Sequence, residues 1–318
     1  MQLTEWHVSN FSIVNAVWLF FCLAFFISLN IHVFIKGHTN SILHILFQDF
    51  IRYGKTKKDL QRPKRLYSFD VPKRWFSHFY VISVIWNGML LWLLLHVVFS
   101  GEQFPRWLQT VLYVLCQHAP MDKSGDEVSV VLMLVLLLLQ SIHRLIECLF
   151  ISVFSNGVIH LVQYCFGVCY YILLGLTILC QKTFTENKAY SLSDLYEQVG
   201  WNHIMGSAIF LWGFCHQYRC HAILANLRKN KSGEVVTWSH SIPYGDWFEH
   251  VSCPNYLAEL VIYLGMGLVF GGLNFTWWLV VMYVLFSHAL EAVLCHEFYV
   301  KKFESYPKHR KAFIPLIF

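Results

Sequence analysis

The sequence predicts an all-α fold, a polytopic membrane bundle of about seven transmembrane helices. Two observations carry this expectation. Over 318 residues the chain is 56% hydrophobic and only 14% charged, with a mean hydropathy of +0.47, far more apolar than a soluble domain of this length. The apolar residues also come in separate runs, most of them long enough to cross about 30 Å of hydrocarbon at about 1.5 Å per residue.

In order, the runs are Phe11–Ile35, Phe79–Phe99, Val128–Ile151, His160–Cys180, Trp201–Leu224, Tyr256–Phe270 and Trp277–Cys295. The sixth is the shortest, and its separation from the seventh rests on Gly271-Gly272-Leu273-Asn274, whose glycines favour a tight turn. The connecting segments alternate in charge. The first loop carries Lys36, Arg52, Lys55, Lys57, Lys58, Arg62, Lys64, Arg65, Lys73 and Arg74, and Arg228-Lys229-Asn230-Lys231 and the tail (Lys301, Lys302, Lys308, Arg310, Lys311) are also basic. Met1–Asn10, Gly101–Glu127 and Gln181–Gly200 are balanced or acidic. Basic loops stay cytoplasmic, so the N-terminus is expected in the lumen and the tail in the cytosol. The net charge of +5 is then topology and contact with membrane lipid, not a nucleic-acid footprint.

The N-terminus lacks a basic n-region and a small-residue cleavage site, so the first run reads as a retained anchor. Ten cysteines are scattered, mostly inside the runs, without a paired framework, which predicts reduced thiols. No internal repeat stands out, so residues 1–318 are expected to form a single domain.

Charge at membrane depth is costly unless paired or facing a wet cavity. Arg144 and Glu147, one turn apart at the end of the third run, share a helix face; they form either a structural ion pair or part of a site. Glu259 and Glu291 are further intramembrane acids. The long polar segment before the sixth run supplies Arg228 and ends with Asn255 and Glu259 on one face of a helix start, where backbone N–H groups are unpaired. No G-x-G-x-x-G is present, so a Rossmann site is not expected. Cys215-His216 and Cys220-His221 carry zinc-type ligands but lack a second ligand pair, and no metal is expected. His296 and Tyr299 lie one turn apart at the end of the last run, where such residues ordinarily anchor at the headgroups.

The tail pattern H-x-F-Y-x-x-x-F-x-x-Y-P-x-x-R, from His296 to Arg310, resembles the steroid 5-alpha-reductase family, as does the upstream order Leu227-Arg228, Gly233-Glu234, Ile242-Pro243-x-Gly245 and Asn255 to Glu259. Those membrane enzymes use NADPH to saturate a carbon–carbon double bond conjugated to a carbonyl. Arg144-Leu-x-Glu147 resembles the related enoyl reductases. The resemblance implies an NADPH site formed by Gln217, His221, Arg228, Asn255, Glu259, Tyr299 and Arg310, and catalytic roles for His296, Arg144, Glu147 and His78. It implies the family's reductase region at about 160–318 and an endoplasmic-reticulum membrane location.

Two stretches, FQDFIRYGKTK and FDVPKRWFSHFYVISVIWNG, are most similar to the branch that acts on long-chain polyprenoid lipids. Steroid-reducing members hold the ketone with a Glu and a Tyr; the corresponding places here are Phe79 and Ser141, which leaves 3-oxo-Δ4 steroids as a side substrate at most. Hydride adds to an alkene carbon only where the developing charge is delocalised, so an enal is a better acceptor than an allylic alcohol. His78, Arg144 and His296 are then the candidate donors to the aldehyde or to the carbon beside it. Two other readings stay open at this level: lipid-directed methyl transfer, and a non-enzymatic lipid-binding or transport bundle whose intramembrane Glu147, Glu259 and Glu291 line a route.

Overall fold

The computed structural model describes residues 12–35, 41–58, 60–116, 126–182 and 188–317. Helices account for nearly all of the regular structure: α1 (Ile13–Phe34), α2 (Ile42–Ile51), the short α3 (Lys55–Lys58), α4 (Phe76–Ser100), α5 (Arg106–Cys116), α6 (Glu127–Ile146), α7 (Leu161–Leu179), α8 (Leu192–Glu197), α9 (Trp201–Asn226), α10 (Pro254–Val269) and α11 (Phe275–Lys302). Each of the seven expected runs is a helix.

Among the described residues, five helical segments are long and apolar enough to cross a membrane: Ile13–Phe34, Lys73–Ser100, Glu127–Ile151, Leu161–Leu179 and Phe275–Lys302. The other two differ from them in physical character. α9 is 26 residues long but carries polar residues on both sides of its apolar middle, among them His203, His216, Arg219 and His221, whereas α10 is apolar but only 16 residues long. Met1–Asn10, Phe11 and Lys36 lie outside the described residues, as do parts of Gly101–Glu127 and Gln181–Gly200.

Local chemistry sets the helix ends. Ser12 Oγ accepts from Asn15 N at 3.3 Å to start α1, Asp126 Oδ1 from Ser129 N at 2.8 Å to start α6, and Asn274 Oδ1 from Trp277 N at 2.8 Å to start α11, each satisfying a donor that has no partner within the helix. α6 closes in a π-turn, Glu147–Ile151, an irregularity frequent at functional sites.

Between helices in lipid there is little hydrophobic drive, so packing and hydrogen bonds must hold them. α9 and α10 meet backbone to backbone: a Cβ on Gly206 would lie 2.7 Å from Gly265 O, and one on Gly265 2.7 Å from Phe210 N. Only glycine allows that approach. Elsewhere a buried indole ties α1 to α7, with Trp18 Nε1 donating to Thr177 Oγ1 at 2.8 Å.

The basic first loop folds back onto the bundle. Its Asp70–Pro72 strand (β1) pairs antiparallel with Val158–His160 (β2), with Val71 opposite Ile159. Beneath it a buried quartet alternates in sign. Lys57 Nζ lies 3.2 Å from both Asp49 Oδ1 and Asp70 Oδ1, and Arg62 pairs with Asp49 at 2.6 Å and also with Asp70. Gly54, at φ +57°, donates its N–H to Val158 O at 2.7 Å, which turns Tyr53 and Lys55 toward the helices.

Candidate active site

A cavity of about 370 Å³ opens where the first loop, the α6 π-turn, the segment before α10 and α11 converge. Of the residues singled out in the sequence, Arg144, His221, Arg228, Asn255, Glu259 and Tyr299 line it together. They come from α6, α9, α10, α11 and the loop after α9, so the fold rather than sequence proximity unites them.

One end is a buried polar belt. Arg144 Nη1 pairs with Glu147 and lies 2.7 Å from His221 Nδ1, while Glu147 Oε2 is 3.0 Å from the same ring nitrogen. Arg144 Nε donates to the Tyr80 hydroxyl at 3.3 Å. Glu147 is fully buried and also 3.4 Å from His143 Nε2, so its charge is answered from two helices. A second chain runs behind the wall: Gln140 Nε2 donates to Gln217 Oε1 at 2.7 Å, and Gln217 Nε2 to Glu259 Oε2 at 3.2 Å. Glu259 in turn faces His288 Nε2 at 3.5 Å, and that ring stacks on Tyr256, whose hydroxyl is 2.8 Å from that of Tyr53.

The other end is cationic. Lys55 Nζ sits 3.9 Å from the centroid of Tyr299, and Lys73 Nζ 4.9 Å from that of Tyr53. Arg228 Nη1 is bound to the Val153 carbonyl, and Nη2 lies 3.0 Å from His240 Nε2. Because a guanidinium only donates, Nε2 of His240 accepts and its proton sits on Nδ1. Burial, reinforced by Lys55, Arg228, Lys302 and Lys73, lowers His240 to about 3, so the imidazole is neutral. These partners are aromatic rings, a carbonyl and a neutral imidazole, with the Cys295 thiol also in hydrogen-bonding reach of Lys55. Glu291 lines the same cavity, within the electrostatic reach of Lys73, Arg52 and Lys55.

The remaining sequence candidates stand outside the lining. Glu147 and Gln217 are buried directly behind it. His296 reaches the cavity through Ser252: its Nδ1 is 2.7 Å from Ser252 Oγ, which is also 2.6 Å from the Tyr306 hydroxyl. His78 lies at the start of α4, 3.0 Å from the Tyr164 hydroxyl. Arg310 is buried in a different place, donating to Pro243 O at 2.7 Å, 3.6 Å from Glu249 Oε2, with its guanidinium 4.7 Å from the Tyr244 centroid. It fastens the tail to the Ile242–Gly245 segment.

The sequence analysis overlooked several residues that line the cavity: Tyr53, Lys55, Lys73, Tyr80, Tyr170, Tyr171, Tyr256 and His240. Lys55 and Lys73 were absorbed into the positive-inside pattern, which explains a basic loop without asking which cations turn inward. The usable signal is Gly54, set directly between Tyr53 and Lys55. Phe79 and Ser141 do not line the cavity: Phe79 packs on Tyr164, with centroids 5.3 Å apart, and Ser141 is bonded to Ser83 at 2.6 Å and Leu137 O at 2.8 Å. Among the described residues no group of three or more His, Cys, Asp or Glu is arranged to hold a metal ion; His216 is instead paired with Asp246 at 2.8 Å.

The family profile described as 3-oxo-5-alpha-steroid 4-dehydrogenase matches residues 158–318. Curated relatives extend the likeness over the whole chain. A polyprenal reductase of Xenopus laevis is 54% identical over 320 residues, covering 100% of both chains. The polyprenal reductase of Homo sapiens is 51% identical over 322 residues, with 99% of this chain and 100% of the relative covered. That of Danio rerio is 46% identical over 307 residues, with 96% and 98% covered. With its C-terminal half matched by the profile and its full length matched by these relatives, the chain belongs to the steroid 5-alpha-reductase family.

Proposed function

We propose that the protein is a polyprenal reductase that saturates the α-isoprene double bond of a long polyprenoid aldehyde at the expense of NADPH. The relatives carry that name at 46–54% identity over nearly their full length. The reaction belongs to reductases acting on CH–CH groups. Neither lipid-directed methyl transfer nor a transport bundle finds support in these likenesses.

The observation that carries the cofactor reading is the uneven charge of the cavity. Lys55, Lys73 and Arg228 face it at one end, and Arg228 is held by a carbonyl and a neutral imidazole. Such a cluster fits a phosphate-rich ligand, because phosphates take charge-assisted hydrogen bonds from Lys and Arg. Asn255 adds a side-chain amide at the start of α10. Bound there, NADPH would supply the hydride for the β-carbon of the enal.

The residues of the chain do the rest. Lys55, Lys73 and Arg228 bind the phosphates; Tyr299, beneath Lys55, closes that wall; and His221, Glu259 and Gln217 orient what lies against α9 and α10. His296 with Ser252 links the cavity to the basic tail and can carry a proton inward. The cavity lies at the small end of the roughly 300–1,000 Å³ typical of ligand pockets, so a long prenyl chain must lie mostly outside it, in the lipid. The membrane proposed is that of the endoplasmic reticulum; the basic loops support an orientation with the cationic end and the tail on the cytosolic side. Its saturated product feeds the dolichol-type carriers of protein N-glycosylation.

Purified protein in detergent should bind NADPH but not S-adenosylmethionine, and should convert a long polyprenal to a product heavier by two hydrogens in the α-isoprene, read by mass spectrometry. Hydrogens gained in an internal isoprene, or none gained, would refute the assignment.

A further inference from the structure

We infer that the Tyr80 hydroxyl is the hydrogen-bond donor that polarises the aldehyde oxygen, with Arg144 as the positioning residue that aims it. This rests on the reductase reading above and names the residue that reading leaves open.

Tyr80 lies on α4, is 8% exposed and lines the cavity. Its oxygen accepts the Arg144 Nε–H at 3.3 Å, and the guanidinium carbon stands 5.2 Å from the ring centroid. Arginine has donors and no acceptor, so this contact leaves the proton of Tyr80 unspent. A nearby cation and a hydrogen bond received at the oxygen both make that proton a stronger donor. Arg144 cannot swing away, because Glu147 and His221 hold its other end.

Other hydroxyls of the cavity are engaged with one another. Tyr53 pairs with Tyr256 at 2.8 Å, Tyr170 with Tyr263 at 2.5 Å, and Ser252 with His296 and Tyr306. Tyr171 stands edge-on to Tyr80, centroids 5.4 Å apart, with its hydroxyl in hydrogen-bonding reach of the Tyr80 oxygen; it is the nearest rival, and as donor to that oxygen it too leaves the Tyr80 proton free for the substrate. The two positions at which ketone-binding relatives place their clamp, 79 and 141, do not reach the cavity here. The two histidines named earlier as donors are also outside it, His78 at the start of α4 and His296 behind Ser252. Tyr80 follows Phe79 directly, so on this helix a hydroxyl is offered one residue beyond the lost clamp.

Hydride adds to the β-carbon; the alkene pair moves to the α-carbon–carbonyl bond, and the carbonyl π pair moves to oxygen. The resulting enolate oxygen is held by the Tyr80 O–H, with the charge of Arg144 behind it. A proton originating from water then adds to the α-carbon and the carbonyl reforms. Tyr80 is unchanged at the end of the turnover.

Tyr80→Phe removes the donor and keeps the ring. The test is the infrared band of a short polyprenal labelled with ¹³C at the carbonyl, bound to the protein without reductant, together with turnover. In the unmodified protein the band should lie below its position in detergent alone, and in Tyr80→Phe it should return toward that position. With NADPH, kcat should fall about 10²–10³-fold, the loss typical for one preorganised donor, while the Kd for NADPH is unchanged. Tyr171→Phe should keep its band position and most of its turnover. An unmoved band and unchanged kcat in Tyr80→Phe, or the whole effect appearing in Tyr171→Phe, would overturn the inference. If Tyr80→Phe does not fold, Tyr80→3-fluorotyrosine is read instead: its more acidic hydroxyl must lower the band further, and no shift overturns the inference. Absence of polyprenal reduction by the unmodified protein is a separate result and would sink the reductase reading itself.

Discussion

Arg228 donates to the Nε2 of His240 across 3.0 Å, so a cation at the mouth of the cavity is held by an imidazole that carries no charge of its own. An arginine meant only to be neutralised would face a carboxylate. This one is held in place with its charge left available.

Arg228→Ala should therefore weaken NADPH binding while the protein stays folded. Losing one charge-assisted phosphate contact costs about 1.5–3 kcal/mol, which is roughly tenfold or more in Kd. Titration calorimetry or fluorescence of bound NADPH measures it. An unchanged Kd would return Arg228 to the role of a loop charge that sets topology.

The helices were legible because membrane spans are written in long apolar runs, and their boundaries were marked by caps such as Asn274 and by the Gly271-Gly272 turn. The site was legible only in part. Arg144 and Glu147 stood out because charge is rare in lipid, and Asn255 and Glu259 because they open a helix on one face. Lys55 and Tyr80 did not. Lys55 turns inward through Gly54 and a hairpin-like pairing of β1 with β2, whose strands are distant in sequence, and no local pattern reports such a contact. Tyr80 is one aromatic residue among many on an apolar helix, marked only by its contact with Arg144 on another helix. Arg310 shows the opposite limit. A motif marks the residue, but only the packing shows that it reaches Pro243 and Glu249.

His240 gives a pH signature. Its folded value, about 3, lies below the ordinary histidine value near 6.5, with burial as the leading cause and the surrounding Lys55, Arg228, Lys302 and Lys73 adding to it. The unfolded chain then binds a proton that the folded chain refuses. Folding stability should fall as pH drops below about 6.5, continuing toward 3. His240→Asn should flatten that part of the profile of melting temperature against pH, relative to the unmodified protein. Parallel profiles for the two proteins would mean that His240 does not carry this effect.

Arg310 holds the loop before α10, so any effect it has on cofactor binding should be indirect. Its side chain is buried between the tail and Pro243, and Lys cannot reproduce a guanidinium stacked on Tyr244. Arg310→Lys should lower the melting temperature and speed proteolysis within residues 228–255, and it should weaken NADPH binding as a consequence. A raised Kd with unchanged melting temperature and cleavage would mean instead that Arg310 touches the cofactor directly.

Arg144 and Glu147 decide whether the buried belt is scaffold or machinery. Glu147→Gln alone leaves Arg144 uncompensated at membrane depth, and breaking a buried pair this way costs about 3–5 kcal/mol. Arg144→Gln alone strands the carboxylate, though His143 and His221 remain beside it. The double variant Arg144→Gln/Glu147→Gln removes both charges, so stability should recover in it. Turnover should not recover, because Gln at 144 takes away the cation whose Nε–H is received by Tyr80. The signature is a melting temperature close to that of the unmodified protein, with polyprenal turnover still down about 10²-fold or more, the cost of a lost preorganised donor. Melting temperature and NADPH-dependent turnover measured on all four members of the cycle separate the two roles; recovery of both together in the double variant would make the pair structural alone.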